Sequence, residues 1–123
     1  MLKITKIEQQ KKNKDRYSIY INGEYSFGVY EDVLVRYQLS KGMEFEEDFV
    51  EEVLKKEEQE KANYYAIGLL NFKLRTEKEI RDRMWKKEYS KEIIDHTIDY
   101  LKRLKYLDDE EYAKRFIKDR VNL

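Results

Sequence analysis

Residues 76–91 read Thr76-Glu77-Lys78-Glu79-Ile80-Arg81-Asp82-Arg83-Met84-Trp85-Lys86-Lys87-Glu88-Tyr89-Ser90-Lys91. Thr76 followed three residues later by Glu79 is a capping box: the hydroxyl accepts the third backbone N–H while the carboxylate reaches back to the cap. Behind it Ile80, Met84 and Trp85 carry a helix to about Lys87. Ser90 caps the next one, with Ile94, Thr97, Ile98 and Leu101 facing inward. Upstream, Ala62, Tyr65, Ala66, Leu69 and Leu70 form another helical stripe. Downstream, Asp108-Asp109-Glu110-Glu111 caps a last helix bearing Tyr112, Ala113, Phe116 and Ile117. Helices separated by only ~3–5 residues must turn back on each other, so the C-terminal half reads as a compact helical unit. Its final helix finds no partners before Leu123, and the chain reads as truncated.

The front of the chain has a different period. Ile4-Thr5-Lys6-Ile7 is a candidate first strand, and the polar run from Gln9 to Asp15 a loop. Arg16-Tyr17-Ser18-Ile19-Tyr20-Ile21 meets Glu24-Tyr25-Ser26-Phe27-Gly28-Val29 across Asn22-Gly23, the strongest short hairpin signal. A two-residue Asn-Gly loop would leave Ile19 and Phe27 on opposite faces. A three-residue loop Ile21-Asn22-Gly23 pairs Ile19 with Tyr25 and Tyr17 with Phe27, and is the arrangement expected. A lone hairpin is marginal in water, so this sheet must pack on something else. Val33, Leu34 and Tyr37 then make a short helix that Lys41-Gly42 stops. Phe45, Phe49, Val50, Val53 and Leu54 give an amphipathic helical face, and Lys55 to Lys61, without an apolar residue, an exposed helical bridge or hinge.

Composition excludes several classes. The chain holds no Cys, hence no disulfide, thiolate zinc site or cysteine nucleophile. No apolar run approaches the ~18–20 residues of a membrane span, and Met1-Leu2-Lys3-Ile4 does not open a signal peptide. Ile, Leu, Val and Phe make up 32 of 123 residues, above the ~20% floor below which a core becomes doubtful. A soluble, cytoplasmic, folded protein is expected. Its 26 bases and 26 acids cancel only in sum: residues 1–30 carry net +3, 31–60 net −7 and 61–123 net +4. Fields act within a Debye length of ~8–10 Å, so the segments matter more than the total.

No catalytic arrangement stands out. His96 has no Cys, second His or serine elbow to work with, and flanks a packed stripe. The four glycines form no phosphate loop, and residues 44–60 lack the spacing of a calcium loop. Lys73, Arg75, Lys78, Arg81, Arg83, Lys86 and Lys87, against Glu77, Glu79 and Asp82, make a net +4 in fifteen residues. Such a rim can meet phosphates or an acidic protein surface. It can equally be an ordinary charged helix with internal pairs such as Glu79–Arg83. Arg103, Arg115 and Lys118 extend the cationic character. Of the eleven tyrosines, Tyr65 and Tyr112 are assigned to the core. Trp85 beside Lys86-Lys87 reads as a core plug with a wet edge rather than a base-stacking platform.

Ala62-Asn63-Tyr64-Tyr65-Ala66-Ile67-Gly68-Leu69-Leu70, then Arg75-Thr76-Glu77-Lys78-Glu79-Ile80-Arg81 with Met84, resembles the opening of a RecX-type recombination regulator. Leu101-Lys102-Arg103-Leu104-Lys105-Tyr106-Leu107-Asp108-Asp109-Glu110-Glu111-Tyr112-Ala113 resembles the family's most recognisable signature, with Lys105 where the family usually has Gly. Ile4-Thr5-Lys6-Ile7-Glu8, Ile21 to Phe27 and Glu31-Asp32-Val33-Leu34 resemble the front region of Gram-positive-type members. The resemblance implies a mainly α fold of tandem three-helix repeats behind a small antiparallel hairpin or three-strand region. The expected domains are residues 1–42, the β region with a short helix; 43–61, an acidic helical connector; 62–107, the first repeat; and 108–123, the first helix of a second. It further implies a cofactor-free, non-enzymatic, monomeric regulator. Its partner would be the RecA filament on DNA, and it would damp the filament's ATPase and strand exchange. Read from the residues alone, the same bases could contact DNA directly, as in a stand-alone nucleic-acid-binding module, or the helices could form an adaptor for another protein.

Overall fold

The computed structural model describes residues 1–107, in two compact units that divide between Glu60 and Lys61. The cap expected at Asp108 and the helix of Tyr112, Ala113, Phe116 and Ile117 lie outside the described residues, as do Arg115 and Lys118.

In the first unit, β1 (Leu2–Gln9), β2 (Arg16–Ile21), β3 (Glu24–Tyr30) and β4 (Glu44–Phe45) form one antiparallel sheet in the order β3-β2-β1-β4. The expected hairpin or three-strand front is therefore a four-stranded sheet, and "mainly α" describes the protein only coarsely. The hairpin also differs from expectation. Tyr20 pairs with Tyr25 and Ile21 with Glu24, so Asn22 and Gly23 alone make the turn, at φ +50° and +87°. Two positive values are those of a type I′ turn, whose twist matches the strands it joins. The problem of faces is solved by a bulge. Ser26 is skipped, and Ile19 then pairs with Phe27 and Tyr17 with Val29. One inserted residue reverses the side-chain alternation, which brings Ile19 and Val29 into the core together.

A second bulge at Thr5 fixes the turn to β1. Ile4 pairs with Ile21 and Lys6 with Tyr20, and the skipped Thr5 turns its Oγ1 to accept the Gly23 N–H at 2.9 Å. The surface that the hairpin lacks comes from two helices. Helix α1 (Glu31–Arg36) contributes Val33, and α2 (Glu47–Phe72) contributes Val53 to a core with Ile4, Ile19, Val29 and Leu39. Helix α1 stops at Gln38 (φ +51°), before the Lys41-Gly42 stop expected, with the Leu39 N–H donating to the Leu34 carbonyl at 3.0 Å. Gly42 (φ +91°) instead serves the turn into β4, its N–H donating to the Ile4 carbonyl at 2.7 Å. Phe45, expected to open a helical face, is in β4 opposite Leu2, and its ring meets Phe49 at 5.4 Å.

Helix α2 is uninterrupted through Lys55–Lys61, the segment expected to be an exposed bridge or hinge. One residue there is not exposed at all: Glu57 is buried. Its Oε1 accepts from Arg16 Nη1 at 2.7 Å and its Oε2 from the Tyr30 N–H at 3.0 Å. The Arg16 guanidinium also lies 4.4 Å from the Tyr30 ring centroid.

The second unit combines the end of α2 with α3 (Glu77–Lys86) and α4 (Lys91–Arg103). Both caps form as the sequence predicts. Thr76 Oγ1 accepts the Glu79 N–H at 3.2 Å while the Thr76 N–H donates to Glu79 Oε1, and Ser90 Oγ accepts the Ile93 N–H at 3.2 Å. Ala62 and Ala66 from α2 pack with Ile80, Met84, Ile94, Ile98, Leu101 and Leu107. The alanines carry little bulk, so they admit the larger side chains of α3 and α4. Within this core the Thr97 hydroxyl donates to Asn63 Oδ1 at 3.0 Å. Both helices end in a left-handed residue, Glu88 (φ +68°) and Lys105 (φ +60°). The next N–H then reaches back five residues, Tyr89 to Met84 and Tyr106 to Leu101, which is the Schellman closure.

Candidate functional site

The cations of residues 73–103 do not form one equivalent set. Arg75 is only 5% exposed, and its Nε donates to the Leu69 carbonyl at 3.2 Å. The last turn of α2 contains no basic residue of its own, and Arg75 adds a second donor to a carbonyl at that helix end, which also accepts the Lys73 N–H at 3.2 Å. Its side chain faces inward.

Arg81 is committed as well. Its Nε meets Glu77 Oε2 at 2.9 Å within α3, and its Nη1 meets Asp95 Oδ1 on α4 at 2.7 Å. Lys102 Nζ closes the arrangement on Glu77 Oε1 at 2.6 Å. Hydrogen bonds from Lys102 and then Arg81 hold Glu77 below the ordinary carboxylate range, and the bond from Arg81 does the same for Asp95. Arg81 and Lys102 are raised in return, Arg81 chiefly by Asp95 and Lys102 by Glu77. This linkage joins α3 to α4 and leaves little of the Arg81 charge for a ligand.

The remaining bases are outward. Lys73, Lys78, Arg83, Lys86 and Arg103 are exposed and, among the described residues, form no ion pair. The internal pair Glu79–Arg83 does not form, because the Glu79 carboxylate is turned to the Thr76 cap. Lys87 Nζ stands 4.9 Å from the Tyr65 ring centroid, and Tyr65 in turn meets Tyr89 at 6.0 Å. Tyr65 is half-buried against the core, while Tyr64 is exposed. Among the described residues no three His, Cys, Asp or Glu side chains gather as a metal site would require. No helix there is long and apolar enough to cross a membrane.

Trp85 is the clear correction. It is 66% exposed rather than a core plug. Met84 and Ile80 fill the space under α3, and Trp85, one residue or ~100° further round, is turned off that face. Glu57 is the residue that composition concealed. A run without apolar residues looks solvated throughout, but Glu57 continues the Phe49–Val53 row at i+4 and so falls on the buried side of α2.

Comparison with known proteins matches these two units in order. The family model for the regulatory protein RecX N-terminal domain matches residues 2–46, and that for the RecX first three-helix domain matches residues 64–101. The chain is 39% identical to a regulatory protein RecX of Oceanobacillus iheyensis, covering 99% of this chain and 47% of the relative. It is 36% identical to that of Clostridium acetobutylicum (97% and 56%) and 40% identical to that of Listeria monocytogenes (98% and 45%). It is also similar to a crystal structure of regulatory protein RecX, with a TM-score of 0.89 and 32% identity over 99% of this chain and 60% of that one. The chain spans about half the length of the curated relatives it matches. With both domains present in that order, the chain belongs to the RecX family of regulatory proteins.

Proposed function

We propose that the chain acts, without catalysis of its own, on the RecA recombinase filament assembled on DNA. There it lowers the filament's ATP hydrolysis and strand exchange in recombinational repair, as a cytoplasmic, monomeric regulator. Membership of the RecX family supports the class of partner. The observation that carries the residue assignment is the set of exposed cations on the helical unit that are unpaired among the described residues: Lys73, Lys78, Arg83, Lys86 and Arg103. A nucleoprotein filament offers phosphate and acidic protein surface together, and charge complementarity of this kind governs encounter rate and register. Arg115 and Lys118 are proposed to extend the same contact. Arg75 and Arg81 are assigned to holding the helices.

Pelleting of the chain with RecA–DNA filaments, alongside RecA-dependent ATP hydrolysis on single-stranded DNA, tests this. The chain is expected to co-sediment, and Arg83→Glu with Lys86→Glu to reduce co-sedimentation at least tenfold with the helices intact. The proposal fails if the chain stays in the supernatant at every salt concentration, or if the charge-reversed variant binds as well as the parent.

A further inference from the structure

We propose that Trp85 is a stacking platform for an unpaired nucleobase, with the neighbouring lysines holding the phosphates of the same strand. Trp85 is the chain's single tryptophan and is exposed, whereas Met84 beside it is wholly buried. The indole therefore adds almost nothing to the core. Among the described residues it takes part in no ring contact and no hydrogen bond. A large apolar ring held in water at this level is unfavourable for the isolated chain and becomes favourable once a flat partner covers it.

The surroundings say which partner. Lys78 precedes Trp85 by seven residues, which on a helix places it about 20° away in rotation and ~10 Å along the same face. Lys86 follows directly. Both are exposed and unpaired among the described residues. Of the acids nearby, Glu79 is turned to the Thr76 cap, while Asp82 and Glu88 are exposed a turn to either side of Trp85. No other large apolar residue of α3 is exposed. A protein-docking centre is a contiguous apolar cluster depleted of lysine, and this face is the reverse: one ring among lysines. Aromatic rings set in a cationic groove are how single strands are bound without sequence preference, since every base has a π-face. Bases inside a duplex are already stacked, so the occupant is single-stranded nucleic acid.

Trp85 reports its own contact. Its fluorescence is followed while the full chain is titrated, without RecA, with oligo(dT), with an abasic oligonucleotide of equal length and with duplex DNA. Oligo(dT) is expected to quench the emission; the abasic strand is expected to bind more weakly without quenching. Trp85→Ala should weaken oligo(dT) binding, followed by anisotropy of a labelled strand, about five- to a hundredfold. It should leave abasic binding unchanged, and Trp85→Phe should retain much of the affinity. Equal affinity for abasic and oligo(dT) strands, binding without quenching, or no binding at all would overturn the assignment. With no recombinase present, such a failure leaves the filament proposal standing, and the reverse also holds.

Discussion

Replacing Glu57 tests whether the first unit depends on one buried carboxylate. The Glu57 and Arg16 side chains are 5% and 15% exposed, and their contact of 2.7 Å lies between α2 and β2. Glu57→Ala removes the acceptor of both the guanidinium and the Tyr30 N–H. Deleting one member of a buried pair costs ~3–5 kcal/mol, because the other charge is left desolvated. Losing the acceptor of a buried amide adds ~1–3 kcal/mol. Arg16 retains some water and its contact with the Tyr30 ring, so the lower end, about 3 kcal/mol, is expected. Glu57→Gln keeps the shape and the acceptor oxygen and should cost roughly half as much. Urea unfolding followed by circular dichroism measures the total, and amide hydrogen exchange in β2 and β3 localises it. A double-mutant cycle with Arg16→Met should return a coupling of ~1–3 kcal/mol. Glu57→Ala within about 0.5 kcal/mol of the parent, or no gain in exchange across β2 and β3, would refute the reasoning.

Three further outcomes are expected. Lys105→Gly should stabilise the helical unit by ~0.5–1 kcal/mol, because φ +60° is strained for a side chain and free for glycine. A thermal midpoint unchanged or lowered would contradict this. Thr97→Val removes the buried hydrogen bond to Asn63 and should cost ~1–3 kcal/mol, with Thr97→Ser losing less, both read from unfolding midpoints. Glu77 is held below its ordinary value, so its contribution is full above the unfolded pKa of ~4.3 and is lost as pH falls through the lower folded value. Acid titration of stability should therefore show a loss beginning below about pH 5, and Glu77→Gln should flatten it.

The sequence made the helical unit legible because its signals are local. Thr76 with Glu79, Ser90, and the rows Ile80–Met84 and Ile94–Thr97–Ile98–Leu101 each lie within one helix and agree with one another. The front was less legible because its decisive features compare strands. A bulge at Ser26 lets the two-residue turn and the buried face coexist, and neither bulge leaves a compositional trace. Phe45 carries a helical spacing to Phe49 and Val53 but pairs with Leu2, a choice only the tertiary partner makes. The helix ends share a third difficulty. Gln38, Glu88 and Lys105 all take left-handed positions that most often fall to glycine, so the sequence points to Lys41-Gly42 instead. At Gln38 and Glu88 such ends persist because the residues after them, Leu39 and Tyr89, are drawn inward by their cores.

The cationic stretch shows why counting charge does not locate a surface. Seven bases between Lys73 and Lys87 look alike in sequence, yet their surroundings give them three different roles. Arg75 sits behind the end of α2 and meets a carbonyl, where a planar guanidinium can reach a backbone acceptor from a buried position. Arg81 is placed between carboxylates of two helices, and its field is largely cancelled within a few ångströms. Lys73, Lys78, Arg83 and Lys86 meet no acid among the described residues, so their potential extends into solvent. Arg75 and Arg81 are thus held by geometry, whereas Lys73, Lys78, Arg83 and Lys86 act through their charge. It follows that Arg75→Lys should destabilise the helical unit despite keeping the charge, whereas Lys78→Arg and Lys86→Arg should leave both stability and partner binding nearly unchanged.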